Sequence, residues 1–139
     1  MECTRRNFNW IIPILAISTA KAEGSALPSK FFVYEDLPVN RQGDGKQRPF
    51  FDGKTETGLP ISVHETELPP GGAPHPAHRH VHDEIVVVRE GTLEVTIAGQ
   101  SRNLGPGSIA YMASNDPHGV RNAGKTTARY YIFAVGSDS

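Results

Sequence analysis

Turn-forming residues recur along this chain at intervals too short for long helices. Fourteen Gly and eleven Pro stand among 139 residues, and much of the turn punctuation falls at 43–45, 69–72, 91, 99, 105–107, 115–117 and 122–124. Between these breaks lie short β-branched and aromatic runs, and from Lys30 onward no long stretch keeps the 3.6-residue period of an amphipathic helix. Strands are expected at residues 31–34, 61–68, 84–90, 92–98, 108–112 and 128–135. The run 92–98 alternates, with Leu93, Val95 and Ile97 on one face and Thr92, Glu94 and Thr96 on the other, so one face meets a core. Strands spaced about eight to twelve residues apart suggest a sandwich or barrel. The predicted class is all-β, with no internal repeat and no second domain. Residues 40–60, polar and rich in Gly and Pro, read as an arm or long loop before the main barrel.

The formal charge of −1, from 14 basic and 15 acidic side chains, leaves no basic excess to hold a polyanion by counterion release, and nucleic acid is excluded as an expected partner. With Cys3 alone, no internal disulfide can form, and the core must stabilise the fold.

Residues 1–22 read as a segment removed from the mature chain. Thr4-Arg5-Arg6-Asn7-Phe8 precedes an apolar run through Ile17 and a small-residue stretch. This resembles a bacterial twin-arginine signal peptide, departing from it where Asn9 and Trp10 replace the usual Leu and Lys. The apolar run falls short of the ~20 residues of a permanent span. Ala20 and Ala22 place cleavage near Ala22, with Ala26 as the second candidate. The resemblance implies an exported, periplasmic or secreted protein; the alternative is a cytoplasmic chain with an N-terminal extension. The expected organisation is thus 1–22 signal peptide, 23–60 N-terminal arm and first strands, and 61–139 barrel.

Four of the six histidines fall at 75, 78, 80 and 82, closely followed by Glu84. On an extended strand His78, His80, His82 and Glu84 share a face. Imidazole and carboxylate donors together suit Zn, Fe, Co, Ni, Cu or Mn. A solvated His-rich turn is the alternative reading of the same cluster.

The spacing goes further. Gly72, His78, His80, Glu84 and Gly91 stand in the register of the first sequence motif of the cupin superfamily. Gly107, Ala113, Asn115, His118 and Asn122 resemble its second motif, with Ala113 where Pro is usual and Asn115 where Gly is usual. The two motifs run from Gly72 to Asn122. The resemblance implies a single-domain antiparallel jelly-roll barrel holding one divalent metal ion, of unspecified identity, through His78, His80, Glu84 and His118, with one or two coordination positions open. Glu84 could double as an acid or base. His82 is placed beside the site, not in it; His75 in a mouth loop; and His64 on a strand that could line the pocket. Strand parity sends Val86 and Val88 inward, with Ala110 and Met112 on a comparable face, so an apolar pocket is expected, and Tyr111 is a further acid–base candidate.

Cupins, by resemblance, include dioxygenases, decarboxylases, isomerases, lyases and non-enzymatic binders. The leading expectation is a metal-dependent enzyme on a small organic acid or phenolic enol, a dioxygenase first. A Lewis-acid lyase or isomerase and a non-enzymatic small-molecule-binding module are the alternatives. A homodimer is expected from the run 128–135, apolar on both faces.

Overall fold

The computed structural model describes residues 24–138, so the expected signal peptide, 1–22, lies outside the described residues. The strands are β1 (Asn40–Gln42), β2 (Gly45–Lys54), β3 (Pro60–Leu68), β4 (Asp83–Glu90), β5 (Leu93–Ile97), β6 (Gln100–Leu104), β7 (Ile109–Met112), β8 (His118–Asn122) and β9 (Ala128–Val135). They form a six-stranded sheet ordered β1-β2-β3-β9-β4-β7 and a three-stranded sheet ordered β6-β5-β8. Every pairing is antiparallel, and the two sheets close as a jelly-roll barrel. The predicted class is the observed one.

The core lies between the sheets. Leu68, Val86, Leu93, Met112 and Ala128 are fully buried there, each large aliphatic side chain contributing about 1.5–3 kcal/mol relative to an exposed one. The strands expected at 61–68, 84–90, 92–98, 108–112 and 128–135 all form, within a residue or two of the expected ends. β6 and β8 are not among the expected strands. β6 is polar and almost wholly exposed, an edge strand held by its register on β5, so no apolar period marks it.

Residues 40–60 depart from the expected arm or long loop, because β1 and β2 lie wholly within them. Both join the large sheet, and the register slips between Pro49 and Phe51, where a proline that cannot donate a ladder hydrogen bond is accommodated. The strand expected at 31–34 is absent. Its residues give extended chain followed by a 3-10 turn at Tyr34–Asp36. This arm lies on the outer face of the large sheet through side chains: Phe32 against Phe50 and Phe51, at 6.2 and 5.4 Å between centroids, and Tyr34 over β3. Phe31 points away and is 97% exposed.

β9 is apolar on both faces because it is central, between β3 and β4. Its inner face reaches the core, and on its outer face Tyr131 meets Phe50. That removes the edge-strand argument for a homodimer through β9.

Candidate metal centre and adjoining cavity

The expected one-face strand from His78 to Glu84 does not exist. β4 starts at Asp83, and His78, His80 and His82 lie in the irregular segment before it. What gathers the side chains is a set of backbone bonds between the two motifs. His78 and His118 exchange both N–H···O bonds, at 3.0 and 2.9 Å, and the Asn115 N–H donates to the His80 carbonyl at 2.8 Å. Asn115 has φ +64, the left-handed conformation that Asn tolerates best after Gly, so its replacement of the usual Gly leaves this turn intact.

One ring nitrogen from each of His78, His80 and His118 lies within 4.8 Å of the other two. Glu84 Oε2 is 3.1 Å from His80 Nε2, and Oε1 is 4.0 Å from His118 Nε2. The Nδ1 atoms face backbone carbonyls: His80 that of His82 at 2.9 Å, His118 that of Asp116 at 2.8 Å, and His78 that of Pro76 at 3.4 Å. Donation there would leave each Nε2 with its lone pair to offer an ion, the arrangement that orients metal-ligating imidazoles. His118 Nε2 is buried with no hydrogen-bond partner among the described residues. Burial, with His75 and the other imidazoles adding to it, pushes His78 below the ordinary histidine range, favouring the neutral form a metal binds. The three histidines and Glu84 therefore make a donor set that fits a divalent ion. These candidate ligands come from both sheets, His118 from the small one and Glu84 from the large.

His82 stacks on His80, with centroids 3.6 Å apart and planes at 12°, while its Nδ1 contacts Asp138. With His80 and Glu84 it forms a second close triplet. His75 is exposed with its ring 4.2 Å from that of His78, at the mouth as expected.

Beside His118 and Glu84 opens a cavity of about 380 Å³, counted with its open mouth. Its walls are not those expected. Val86, Val88 and Met112 are in the core and Ala110 packs against it, while Tyr111 is 58% exposed on the outside and no candidate for acid–base work inside. The lining sets four polar side chains, Gln42, His64, Thr66 and Tyr130, among the apolar Pro74, Val120 and Ile132. Thr66 and Tyr130 are directly paired across β3 and β9, and their hydroxyl groups are hydrogen-bonded. Burial pushes the Tyr130 phenol far above its ordinary range, so it stays protonated. Burial also lowers His64, partly offset by Glu84. Tyr130 was legible in principle, since parity from Ala128 sends it inward. Gln42 carried no sequence signal, because its segment read as a loop.

Comparison with known proteins agrees with this geometry. The family described as the cupin domain matches residues 64–135. The pectin degradation protein KdgF of Dickeya dadantii is 34% identical over 93 residues, covering 66% of this chain and 79% of that protein. Among solved structures, KdgF from a Halomonas species superposes with a TM-score of 0.67 at 18% identity, covering 80% of this chain and 97% of that one. An RmlC-like cupin from Shewanella frigidimarina gives 0.66 at 17%, covering 79% and 93%. Barrel, motif register and family match converge on one statement: the chain is a member of the cupin family.

Proposed function

We propose that the protein is a metal-dependent lyase or isomerase acting on a small hydroxylated carboxylate, of the acidic-sugar type released from pectin. The observation that carries this is the placing of four polar side chains, Gln42, His64, Thr66 and Tyr130, against His118 and Glu84. Such groups suit an oxygen-rich substrate, the small organic acid of the expectation, better than its phenolic enol, since buried polar groups demand hydrogen-bonding partners. The similarity to a pectin degradation protein points the same way.

In this reading His78, His80, His118 and Glu84 hold one divalent ion. When bound, the ion supplies Lewis-acid polarisation of a substrate carboxylate or carbonyl oxygen. His64, kept neutral by burial, takes a proton from the carbon next to the carbonyl, the C–H electron pair moving towards the polarised oxygen. Returning that proton to the former carbonyl carbon, while the proton of the hydroxyl on the deprotonated carbon passes to the former carbonyl oxygen, completes an isomerisation with no external oxidant. Tyr130, kept protonated, donates a hydrogen bond to the oxygen where charge grows. Glu84, free of one oxygen's duty to the ion, is the alternative base.

The test is metal-loaded protein with acidic sugars made by lyase digestion of pectin, followed by ultraviolet absorbance and proton NMR, with an oxygen electrode in parallel. Conversion without O₂ uptake, lost in His118→Ala, is expected. O₂ consumption with catechols, flavonols or β-diketones would replace this reading with the dioxygenase one, and binding without conversion of any acid would leave a binding module.

We further propose that residues 1–22 direct export by the twin-arginine route. Arg5→Lys with Arg6→Lys should strand the protein in the cytoplasm on fractionation, and unchanged export would overturn this.

A further inference from the structure

Gln42 Oε1 and His118 Nε2 are buried without a hydrogen-bond partner among the described residues, and both residues line the same cavity. His118 Nε2 is accounted for by the metal reading. Gln42 Oε1 is not. Gln42 ends β1, the edge strand of the large sheet, whereas His118 opens β8 in the small sheet, so the cavity between them is bounded by both sheets.

The hairpin that carries Gln42 cannot easily relax to satisfy its carboxamide. The Asp44 N–H donates to the Ala73 carbonyl at 3.1 Å, and Asp44 Oδ2 accepts from the Ala73 N–H at 3.1 Å. Gly43, at φ +54, lies so close to Pro74 that a Cβ there would stand 2.1 Å from the Pro74 carbonyl oxygen. The β1–β2 turn is thus clamped to the segment that leads into His75 and His78. A buried carbonyl left without a donor destabilises the fold, and here the fold holds it fixed relative to the metal ligands.

We propose that Gln42 is a specificity-determining residue, whose carboxamide oxygen accepts a hydrogen bond from a hydroxyl of a substrate carboxylate bound against His118 and Glu84. The proposal rests on the hydroxy-acid reading above. It explains why a polar side chain is fixed without a partner at that wall, and it predicts selection for length and hydroxylation. A site built to pair a hydroxyl rejects the analogue lacking it far more strongly than an apolar site rejects a missing methylene.

The experiment is calorimetric titration of the metal-loaded wild type, Gln42→Met and Gln42→Leu with D-galacturonate and with glycolate, a two-carbon hydroxy acid too short to reach both walls. It is paired with thermal unfolding of the metal-free proteins. Galacturonate affinity should fall about tenfold or more in both variants, while glycolate affinity stays within about twofold. Because the substitution removes an unsatisfied carbonyl, the metal-free Tm should be unchanged or a few degrees higher. Equal losses for both ligands with a lowered Tm would show a structural role and overturn the proposal. Unchanged galacturonate affinity would overturn it while leaving the hydroxy-acid reading intact. A wild type that binds galacturonate no more tightly than glycolate would overturn both.

Discussion

Asn122, the last position of the second motif, is fully buried at the end of β8. Its Nδ2 donates to the carbonyls of Leu68 at 3.0 Å and Thr126 at 2.8 Å, and its Oδ1 accepts from the Gly124 N–H at 2.9 Å. Its backbone bonds to Gly71 and Gly72 at 2.9 Å each, so one residue joins the two motifs. Asn122→Ala should cost about 1–3 kcal/mol, since it leaves the buried Leu68 carbonyl and the part-buried Thr126 carbonyl and Gly124 N–H without their partner, read as a lower urea midpoint with an unchanged slope. His118→Ala should abolish stoichiometric metal, measured by mass spectrometry of natively purified protein, with a much smaller effect on the metal-free fold. His64 gives a pH prediction. Burial lowers its pKa in the folded protein below the ordinary 6.5, so between that lowered value and 6.5 the unfolded chain holds a proton that the native one does not. Its contribution is therefore complete above pH 6.5 and is lost as pH falls through that window. His64→Gln should flatten this part of the acid limb in urea titrations of metal-free protein at stepped pH; an unchanged slope would refute the assignment.

At the scale of elements, the N-terminal arm acts as a cover for the outer face of the large sheet. Residues on alternate positions of β3 divide between the two faces: His64 and Thr66 enter the cavity, whereas Glu65 faces outward yet is only 1% exposed. What buries it is Tyr34, whose hydroxyl donates to Glu65 Oε1 at 2.7 Å, with Arg89 donating to Oε2 at 2.6 Å. The Tyr34 ring lies against both the Arg48 and Arg89 guanidiniums, at 4.9 and 4.8 Å. A buried carboxylate is costly unless it is paired and hydrogen-bonded. Tyr34→Phe should therefore cost about 1 kcal/mol. Arg89→Met should cost about 2 kcal/mol, since Glu65 would keep only Tyr34 and the longer 3.7 Å contact to Arg48. Chemical denaturation of the two variants checks the order; equal costs would mean the arm is held by Phe32 and its aromatic neighbours alone.

At the scale of the whole molecule, the proposed ligands belong to both sheets, so a bound ion would tie together the two halves of the barrel. Binding to the native state alone stabilises by RT ln(1 + [M]/Kd), about 2.7 kcal/mol at a hundredfold excess over Kd. Chelation should lower Tm by several degrees, and re-addition of the divalent ion should restore it. A Tm indifferent to chelation, in protein shown to carry metal beforehand, would place the ion outside this junction. Among the described residues no helix is long and apolar enough to cross a membrane.

The sequence by itself determined the all-β class, five of the strands and the two motif registers. Turn residues and period-2 alternation are local properties, and the spacing of His78, His80, Glu84 and His118 is written in the chain whatever its path. It misread how those side chains meet: strand parity was invoked, whereas the histidines are drawn together by the His78–His118 bridge and the Asn115 turn, bonds between residues far apart in sequence. It also misjudged 31–34 and 40–60, where strand formation depends on a partner. The polar run in β1 and β2 becomes sheet because β3 offers a ladder, and the apolar run at 31–34 remains an arm because no strand among the described residues pairs with it. Only the tertiary structure decided the character of the cavity. Val86 and Met112 do point inward, as alternation requires, but inward at their level is core. At the level of His118 the inner faces of β1, β3 and β9 supply Gln42, His64, Thr66 and Tyr130, and that height along the barrel is set by strand register, which no local pattern encodes.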